Sequence, residues 1–393
     1  MRTLVLYAAY TDQLSYYDDW LDAFKQHPSY TTTVINVAQQ QADITGYELI
    51  ILHHSMTADT LKYLVPYTQK LKDRQGKLLA FVGNEVNIPA VSMRAKINLL
   101  KDLETDIVAT QLLLEAGQWL YNDCSKSKII SVPHALNPQA FNCHVPMSQR
   151  IIDLGTRSTR YGVYIGDNQR NEIIEYFHKN AANYGLKVDV GLEKKSQQRY
   201  NRQQWCDFLN TCKATLATEA GSFYLDKDDQ IIKQIVAYAQ QQQTQIILPT
   251  DGVVINLIKK ILSPSIKNKL RSLLKQVVIT QDQIGENFDF WSVKDQFFTT
   301  DNKCPVYSKA ISSRHFDAIG TKTLQVMYPG RYNDILIAGQ HYFALQPDHS
   351  NIDQLLDLLK NTAAIEKITT NVHEYVLREH THAKRLDAIL SYL

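Results

Sequence analysis

The sequence has few cysteines and no long apolar run, and each shortage excludes a class of protein. Its 393 residues contain five scattered cysteines with no C-x-x-C pair: Cys124, Cys143, Cys206, Cys212 and Cys304. An odd, scattered set is typical of reduced thiols in a cytosolic protein and argues against a zinc site. No run of about 18 apolar residues occurs, so we expect no segment to span a membrane.

The sequence also has almost no net charge. Lys and Arg number 42 against 40 Asp and Glu, a balance of +2, so no bulk attraction to nucleic acid is expected. Hydrophobic residues make up 44% and charged residues 21%, which is ordinary for a globular protein of two or three domains. The apolar run that begins at Met1 is too short for a signal peptide and predicts a first strand.

The first third of the chain alternates strand and helix patterns, which predicts a parallel sheet covered on both faces, as in a Rossmann-like domain. The predicted strands are Leu4–Ala9, Thr32–Val37, Glu48–His53, Lys77–Val82, Asp106–Ala109 and Lys128–Val132. The predicted helices are Asp12–Gln26, Thr57–Leu71, Ala95–Leu103 and Gln111–Tyr121. A second alternating block begins near Arg150.

A short predicted helix, Arg314–Ile319, follows the N-cap residues Ser312 and Ser313, with Gly320 placed to end it. Its start offers free backbone N–H groups, the positive end of the helix dipole and a guanidinium from Arg314. This combination suits a diphosphate. Asp317, one turn further on, could accept hydrogen bonds from a sugar or ribose hydroxyl.

Four segments carry a family resemblance. They are Arg150–Arg157 (R-I-I-D-L-G-T-R), Tyr164–Arg170 (Y-I-G-D-N-Q-R), Cys212–Ser222 (C-K-A-T-L-A-T-E-A-G-S) and Ser312–Val326 (S-S-R-H-F-D-A-I-G-T-K-T-L-Q-V). In this order they resemble a bacterial glycosyltransferase family with the two-domain GT-B fold, the group that includes the CgeB-like proteins. The chain departs from the family pattern at Asp317, where the family usually has Glu.

The resemblance implies an α/β fold of the GT-B type, with two Rossmann-like domains facing a central cleft. The expected domains are 1–148, an acceptor domain, and 149–370, which binds the nucleotide sugar and carries a longer segment at 225–307. A final helix at 371–393 is expected to cross back to the first domain. Leu386, Ile389, Leu390 and Leu393 form an apolar stripe that needs such a partner surface.

The expected donor-binding residues follow from the matched motifs. They are Arg157, Lys213, Glu219, Ser222, Ser313, Arg314, His315 and Asp317. Arg314, Lys213 and Arg157 are the candidates for stabilising the departing diphosphate, and a surface ion pair is the alternative for each. Glu219 follows the carboxyl end of a strand, where α/β sheets bind ligands, although a carboxylate there could equally cap the next helix.

A sugar transfer also needs a base that deprotonates the acceptor hydroxyl. Glu85 and His54 lie at predicted strand ends of the first domain, so they are the candidate catalytic residues. A buried or turn-capping role is the alternative, and the more common one for paired histidines.

Two further hypotheses about the function stay open. Asp226 and Asp228 spell a D-x-D, the metal–diphosphate signature of the other main glycosyltransferase fold, GT-A, although a lone D-x-D is also a common helix cap. The Asp at position 317 keeps open a non-catalytic, GT-B-like ligand-binding or scaffold protein.

A basic amphipathic run extends from Gly252 to Thr280. It contains five Lys and one Arg, no acidic residue, and apolar residues at helical spacing on both sides of Pro264. Such a pair of helices could lie on an anionic membrane surface, or it could pack on the second sheet with a solvated basic face.

The resulting expectation is a metal-independent, cytoplasmic glycosyltransferase with no cofactor beyond its donor. The resemblance implies a nucleotide-sugar donor, most often UDP-linked, and a glycan or lipid-linked acceptor in bacterial surface polysaccharide synthesis. A peripheral contact with the inner face of the membrane would follow from the basic run.

Overall fold

The computed structural model describes residues 1–9, 15–193, 200–242, 246–248, 278–280 and 288–393. The basic run at 252–280 therefore lies outside the described residues apart from 278–280. The expectation that it forms two helices, packed on the sheet or lying on a membrane, falls on those residues as well. Among the helices that are described, none is long and apolar enough to cross a bilayer.

The first sheet is parallel and six-stranded, in the order β2-β1-β3-β4-β5-β6. Its strands are β1 (Arg2–Tyr7), β2 (Thr31–Asn36), β3 (Leu49–Leu52), β4 (Lys77–Phe81), β5 (Ile107–Thr110) and β6 (Lys128–Ser131). The central strands β3 and β5 are buried along their whole length because helices cover both faces. The expected strands are all present, each within about two residues of its predicted bounds.

The helices of this half are α1 (Ser15–Gln26), α2 (Thr68–Lys72), α3 (Met93–Asp102) and α4 (Leu114–Leu120). The helix predicted over Thr57–Leu71 is wrong. That stretch forms a short 3₁₀ turn at Val65–Tyr67 and then the five-residue α2. Pro66 explains the difference, since proline cannot donate within a helix and disfavours helical backbone in the residue before it.

The second sheet has five strands in the order β15-β14-β9-β7-β8, and all of its pairings are parallel. Its strands are β7 (Ile152–Thr159), β8 (Val188–Glu193), β9 (Cys212–Ala217), β14 (Leu324–Met327) and β15 (Phe343–Ala344). Four shorter strands form two separate pairs: β10 (Ala220–Gly221) with β13 (Lys309–Ala310), and β11 (Ile246–Leu248) with β12 (Val278–Thr280).

The helices of the second half flank this sheet or lead away from it. They are α5 (Gln169–Asn180), α6 (Arg202–Thr211), α7 (Gln230–Gln242), α8 (Phe290–Phe297), α9 (Ser313–Gly320), α10 (Ile352–Lys360), α11 (Thr362–Glu379) and α12 (His382–Leu390). Gly320 was expected to follow the last residue of α9, but it is itself the last residue of the helix. A Cβ at Gly320 would lie 2.5 Å from the carbonyl oxygen of Phe141, so close packing is what requires glycine there.

The predicted crossing of the tail is confirmed, because α12 packs against the first sheet. Leu386 and Ile389 are fully buried in a cluster with Trp20 and Phe24, and Leu390 and Leu393 pack at its edge. The domain boundaries at 148/149 and 370/371 stay predictions.

Both large sheets reverse their strand order once, between β1 and β3 in the first and between β7 and β9 in the second. Neighbouring connections leave in opposite directions at such a point, so a crevice opens at the carboxyl ends of the strands, and α/β sheets bind ligands in that crevice. Each sheet therefore has a defined place at which to look for a site.

Candidate functional site

A cavity of about 430 Å³, including its open mouth, lies at the reversal point of the second sheet. The strand ends contribute Thr156 and Ser158 from β7 and the run 215–218 from β9 and the residue after it. The rest of the lining is Arg170, Ile173, Ile174, Trp205, Ser312, Arg314 and His315.

The N-terminus of α9 forms one wall of this cavity. Ser312 is the N-cap, and its backbone N–H donates to Nδ1 of His315 at 3.1 Å. Because Nδ1 accepts this bond, the neutral ring carries its proton on Nε2. Burial lowers the pKa of His315 to about 3, so the ring is uncharged at neutral pH.

The Nε2 atom of His315 is buried, and no group in the described part of the chain hydrogen-bonds to it. The ring as a whole is fully buried, yet it lines the cavity. A buried N–H donor without a partner is costly, and a ligand acceptor would remove that cost.

Arg314 and Ser313 occupy the first turn of α9. Arg314 is exposed and lines the cavity, and its guanidinium donates to the carbonyl oxygen of Arg157 at 2.9 Å and to Oγ of Ser158 at 3.1 Å. These bonds tie the side chain to the end of β7. The helix start, the guanidinium and His315 therefore meet at one end of the cavity, in the arrangement that anions favour.

Asp317 does not present its carboxylate openly to the cavity. It is 5% exposed, and its Oδ2 accepts a hydrogen bond at 3.0 Å from Nε1 of Trp205, which does line the cavity. Burial, together with the nearby Asp19 carboxylate, raises the pKa of Asp317 well above its usual value. The expected hydrogen bond to a ribose hydroxyl is not what this geometry supports, because the carboxylate is committed to the indole.

Two of the expected phosphate-binding cations lie elsewhere. Arg157 is on the opposite face of β7 from Thr156 and Ser158, since successive strand residues alternate, and it forms an ion pair with Asp189. Lys213 is the second residue of β9, at the end of the sheet away from the cavity, and pairs with Asp153 at 2.7 Å. The geometry therefore favours the ion-pair alternative for both residues.

Glu219 and Ser222 hold the backbone rather than line the cavity. Glu219 is 4% exposed and accepts hydrogen bonds from the hydroxyl of Tyr307 and, at 2.7 Å, from the backbone N–H of Tyr332. The buried hydroxyl of Ser222 donates to the carbonyl oxygen of Ile165 at 2.5 Å. Both side chains therefore hold loops beside the site. Their hydrogen bonds do not support the direct contact with the donor that was expected of them.

Glu85 is a buried carboxylate that joins two strand ends. It accepts hydrogen bonds from the hydroxyls of Thr110 and Tyr121, at 2.6 and 2.7 Å, and from the backbone N–H of Gln111 at 2.7 Å. Burial raises the pKa of Glu85. Both oxygens are engaged, so this arrangement does not support the expected role as the catalytic base.

His54 lies at the reversal point of the first sheet but inside an aromatic cluster. Its ring is 5.5 Å from that of Trp20 and 5.2 Å from that of His134, and the residue is 1% exposed. Burial, followed by the neighbouring histidines, lowers the pKa of His54 well below its usual value. A ring with so low a pKa is a poor general base, so the packing role weighed for this histidine is favoured.

The D-x-D forms a turn at the start of α7, and the neighbouring Asp229 caps α3 of the first half. Asp226 accepts hydrogen bonds from the backbone N–H groups of Asp228 and Ile231, and Asp228 pairs with Arg94. Asp229, next to it, is 4% exposed and binds the start of α3 through four donors: the Asn87 and Ser92 side chains and the backbone N–H groups of Met93 and Arg94.

Trp205, Arg170, Thr156 and Ser158 line the cavity and were not among the expected site residues. The sequence held a signal for three of them, because Arg170 stands in a matched motif and Thr156 and Ser158 alternate along a strand and so share one of its faces. Trp205 carried no local signal, because nothing in the sequence indicates that α6 and α9 meet.

A scan of protein-family models finds no match to this chain, and a search of curated proteins finds none either. Similar solved structures do exist. Anabaena HepE in complex with UDP-glucose is 10% identical, with a TM-score of 0.51 over 100% of both chains. A glycosyltransferase from Rickettsia africae is 11% identical with a TM-score of 0.47, over 100% of this chain and 97% of its own. Phage T4 β-glucosyltransferase is 7% identical with a TM-score of 0.46, over 100% and 99%.

The likeness to HepE shows that this chain has the GT-B fold, as expected. The reading as a GT-A enzyme is therefore wrong. The D-x-D residues that suggested it serve a turn and a helix start.

Asp229→Asn tests the capping role, because Asn keeps the left-handed backbone that Asp229 adopts at φ 57° but loses the charge. We expect a loss of about 1–2 kcal/mol in the free energy of unfolding, measured by urea denaturation, since buried hydrogen bonds to charged groups are the stronger ones. Asp228→Asn is the matched control and should cost less than about 1 kcal/mol, because its ion pair is exposed. Equal stability of both variants, with turnover lost in Asp228→Asn, would instead indicate a metal-binding role.

Proposed function

We propose that this protein transfers a sugar from a nucleotide-sugar donor to an acceptor hydroxyl, with the donor diphosphate at the start of α9. The observation that carries the proposal is Nε2–H of His315, a buried donor at a helix N-terminus that is bonded to no described residue and belongs to a ring that lines the cavity. A diphosphate oxygen supplies the acceptor that this atom needs.

The same groups suit the chemistry of the leaving group. Negative charge develops on the diphosphate as the glycosidic bond breaks, and fixed donors aimed at that charge lower the barrier. Arg314, Nε2 of His315 and the first N–H groups of α9 take this role. We propose that these groups are sufficient without a metal ion.

The donor proposed is UDP-linked, and the acceptor a glycan or lipid-linked glycan of a bacterial surface polysaccharide. The UDP-glucose bound to HepE supports the donor, and the matched motifs support the CgeB-like group. We place the protein in the cytoplasm.

The catalytic base should come from the first domain, across the cleft. The contacts of Glu85 and His54 favour neither residue as that base.

Arg314→Ala should weaken UDP binding by about 1.5–3 kcal/mol, because a charge-assisted hydrogen bond to phosphate is lost. Isothermal titration of the folded variant measures this change. Arg160→Ala is the matched control, since Arg160 is an exposed arginine of the same region that pairs with Glu175. Unchanged UDP affinity in Arg314→Ala would remove the diphosphate from the start of α9.

The second candidate is a scaffold protein that kept the fold without the activity. The specific observation in its favour is Asp317, whose carboxylate is bound to Trp205 where the family has a Glu that is expected to reach the donor. Titration with a panel of nucleotides separates the two candidates. Binding to none of them would favour the scaffold, and binding with donor hydrolysis would establish the transferase.

A peripheral membrane contact through 252–280 is proposed from the sequence alone. Each Lys or Arg near an anionic surface adds about 1 kcal/mol of attraction, so we expect salt-sensitive co-sedimentation with anionic vesicles. The binding should weaken when Lys259, Lys260, Lys267, Lys269 and Lys275 are changed to Gln, and neutral vesicles are the control. Protein that stays in the supernatant at low salt would assign the run to a structural role.

A further inference from the structure

Trp205 is an aromatic wall of the donor cavity that neither the matched motifs nor the proposed chemistry uses. It lies on α6, is only partly buried, and lines the same cavity as the start of α9. Its ring is nearly parallel to that of Phe208, with centroids 5.7 Å apart. The indole therefore has a fixed plane, with apolar support from the same helix.

The contact with Asp317 places this wall along α9. Asp317 is five positions after Ser312, which lies at the phosphate end, and five positions span about 7.5 Å along a helix axis at 1.5 Å per residue. Trp205 donates to Asp317 at 3.0 Å. The indole nitrogen therefore lies beside α9 at a point further along the helix than its anion-binding end, a separation that the ribose of a nucleotide bound by its diphosphate can span.

The helix that carries Trp205 is also held from the first domain. Arg202, the first residue of α6, donates to Oδ1 of Asp19 on α1 at 2.6 Å. Asn137 donates to the same oxygen at 2.8 Å, and Asp19 is 4% exposed. A buried charge held by two donors from outside its own helix fixes where α6 begins.

We propose that Trp205 binds the donor by packing its indole against the nucleobase, and that Asp317 and, through Arg202, Asp19 position it. This inference rests on the proposed function and adds to it the part of the donor that the indole recognises. The charged end of the cavity takes the diphosphate, and the flat apolar wall takes the base, because every base has a π-face that stacks on an aromatic ring.

The position of Asp317 follows from the same arrangement. A Glu at this site would extend one methylene further, whereas the shorter Asp stays buried beside the indole nitrogen. In this chain the carboxylate therefore acts on the nucleotide through Trp205 and is a positioning residue.

The test measures UDP and inorganic pyrophosphate binding by isothermal titration, with UDP quenching of tryptophan fluorescence alongside. Trp205→Leu should weaken UDP binding about tenfold, which is within the range that one stacked base contributes, and leave pyrophosphate binding unchanged. Trp205→Phe keeps an aromatic face, so it should retain most of the UDP affinity while losing the quenching. Trp291→Leu removes an exposed tryptophan on α8 and is the matched control.

Asp19→Asn tests the positioning role from the first domain. We expect a two- to fivefold loss of UDP affinity, unchanged pyrophosphate affinity, and recovery in Asp19→Glu, which keeps the charge. Asp18→Asn is the matched control, because Asp18 is an exposed carboxylate on the same helix. A general loss of folding would lower the affinity for both ligands and would not recover with Glu.

The outcomes separate this inference from the function it rests on. Wild-type protein that binds neither UDP nor pyrophosphate would overturn the proposed function, and the role of Trp205 with it. Wild-type protein that binds UDP while Trp205→Leu binds it equally well would overturn the stacking role alone. Equal losses for UDP and pyrophosphate in Trp205→Leu would also overturn it, because the indole would then support the fold of the cavity and not the base.

Discussion

The structure of the site depends on one constraint, which is that backbone N–H groups in the first turn of α9 need hydrogen-bond acceptors. The cavity at this helix start leaves room for a ligand to supply them. The helix that carries these groups is fixed at its other end. Arg150 is 3% exposed, and its guanidinium donates to the carbonyl oxygens of Thr321, just past α9, and of Cys212, at the start of β9. With Gly320 packed on Phe141, these bonds keep α9 in register with the sheet, so its first turn stays aimed at the strand ends.

The two halves of the chain are joined at two separate places. Arg202 forms an ion pair with Asp19, and Asp229 caps α3. Leu225 and Ala310, from the second half, are buried in the core cluster of the first. The first domain is therefore placed relative to the cavity by buried contacts, which the proposed transfer requires if the base and the donor come from different domains.

The sequence predicted the strands well, because parallel strands buried on both faces are continuous apolar runs, as in Leu49–Leu52. It also located the cap of α9, since Ser312 and Ser313 carry a local chemical signal. It failed at Thr57–Leu71, where Pro66 breaks a helical pattern.

The site itself was only partly predictable, for a physical reason. A motif gives a residue its place along the chain but not the strand face or the end of the sheet, and this is why Arg157 and Lys213 stand in matched motifs yet do not line the cavity. Contacts between distant segments, such as Trp205 with Asp317, depend on the packing of α6 against α9 and leave no local pattern. The cavity wall that they form could be found only from the fold.

A crystal structure with UDP bound tests the central claim most directly. We expect a phosphate oxygen within about 3 Å of Nε2 of His315 and of a backbone nitrogen in the first turn of α9. UDP ordered elsewhere on the protein, with Nε2 of His315 still without an acceptor, would contradict it.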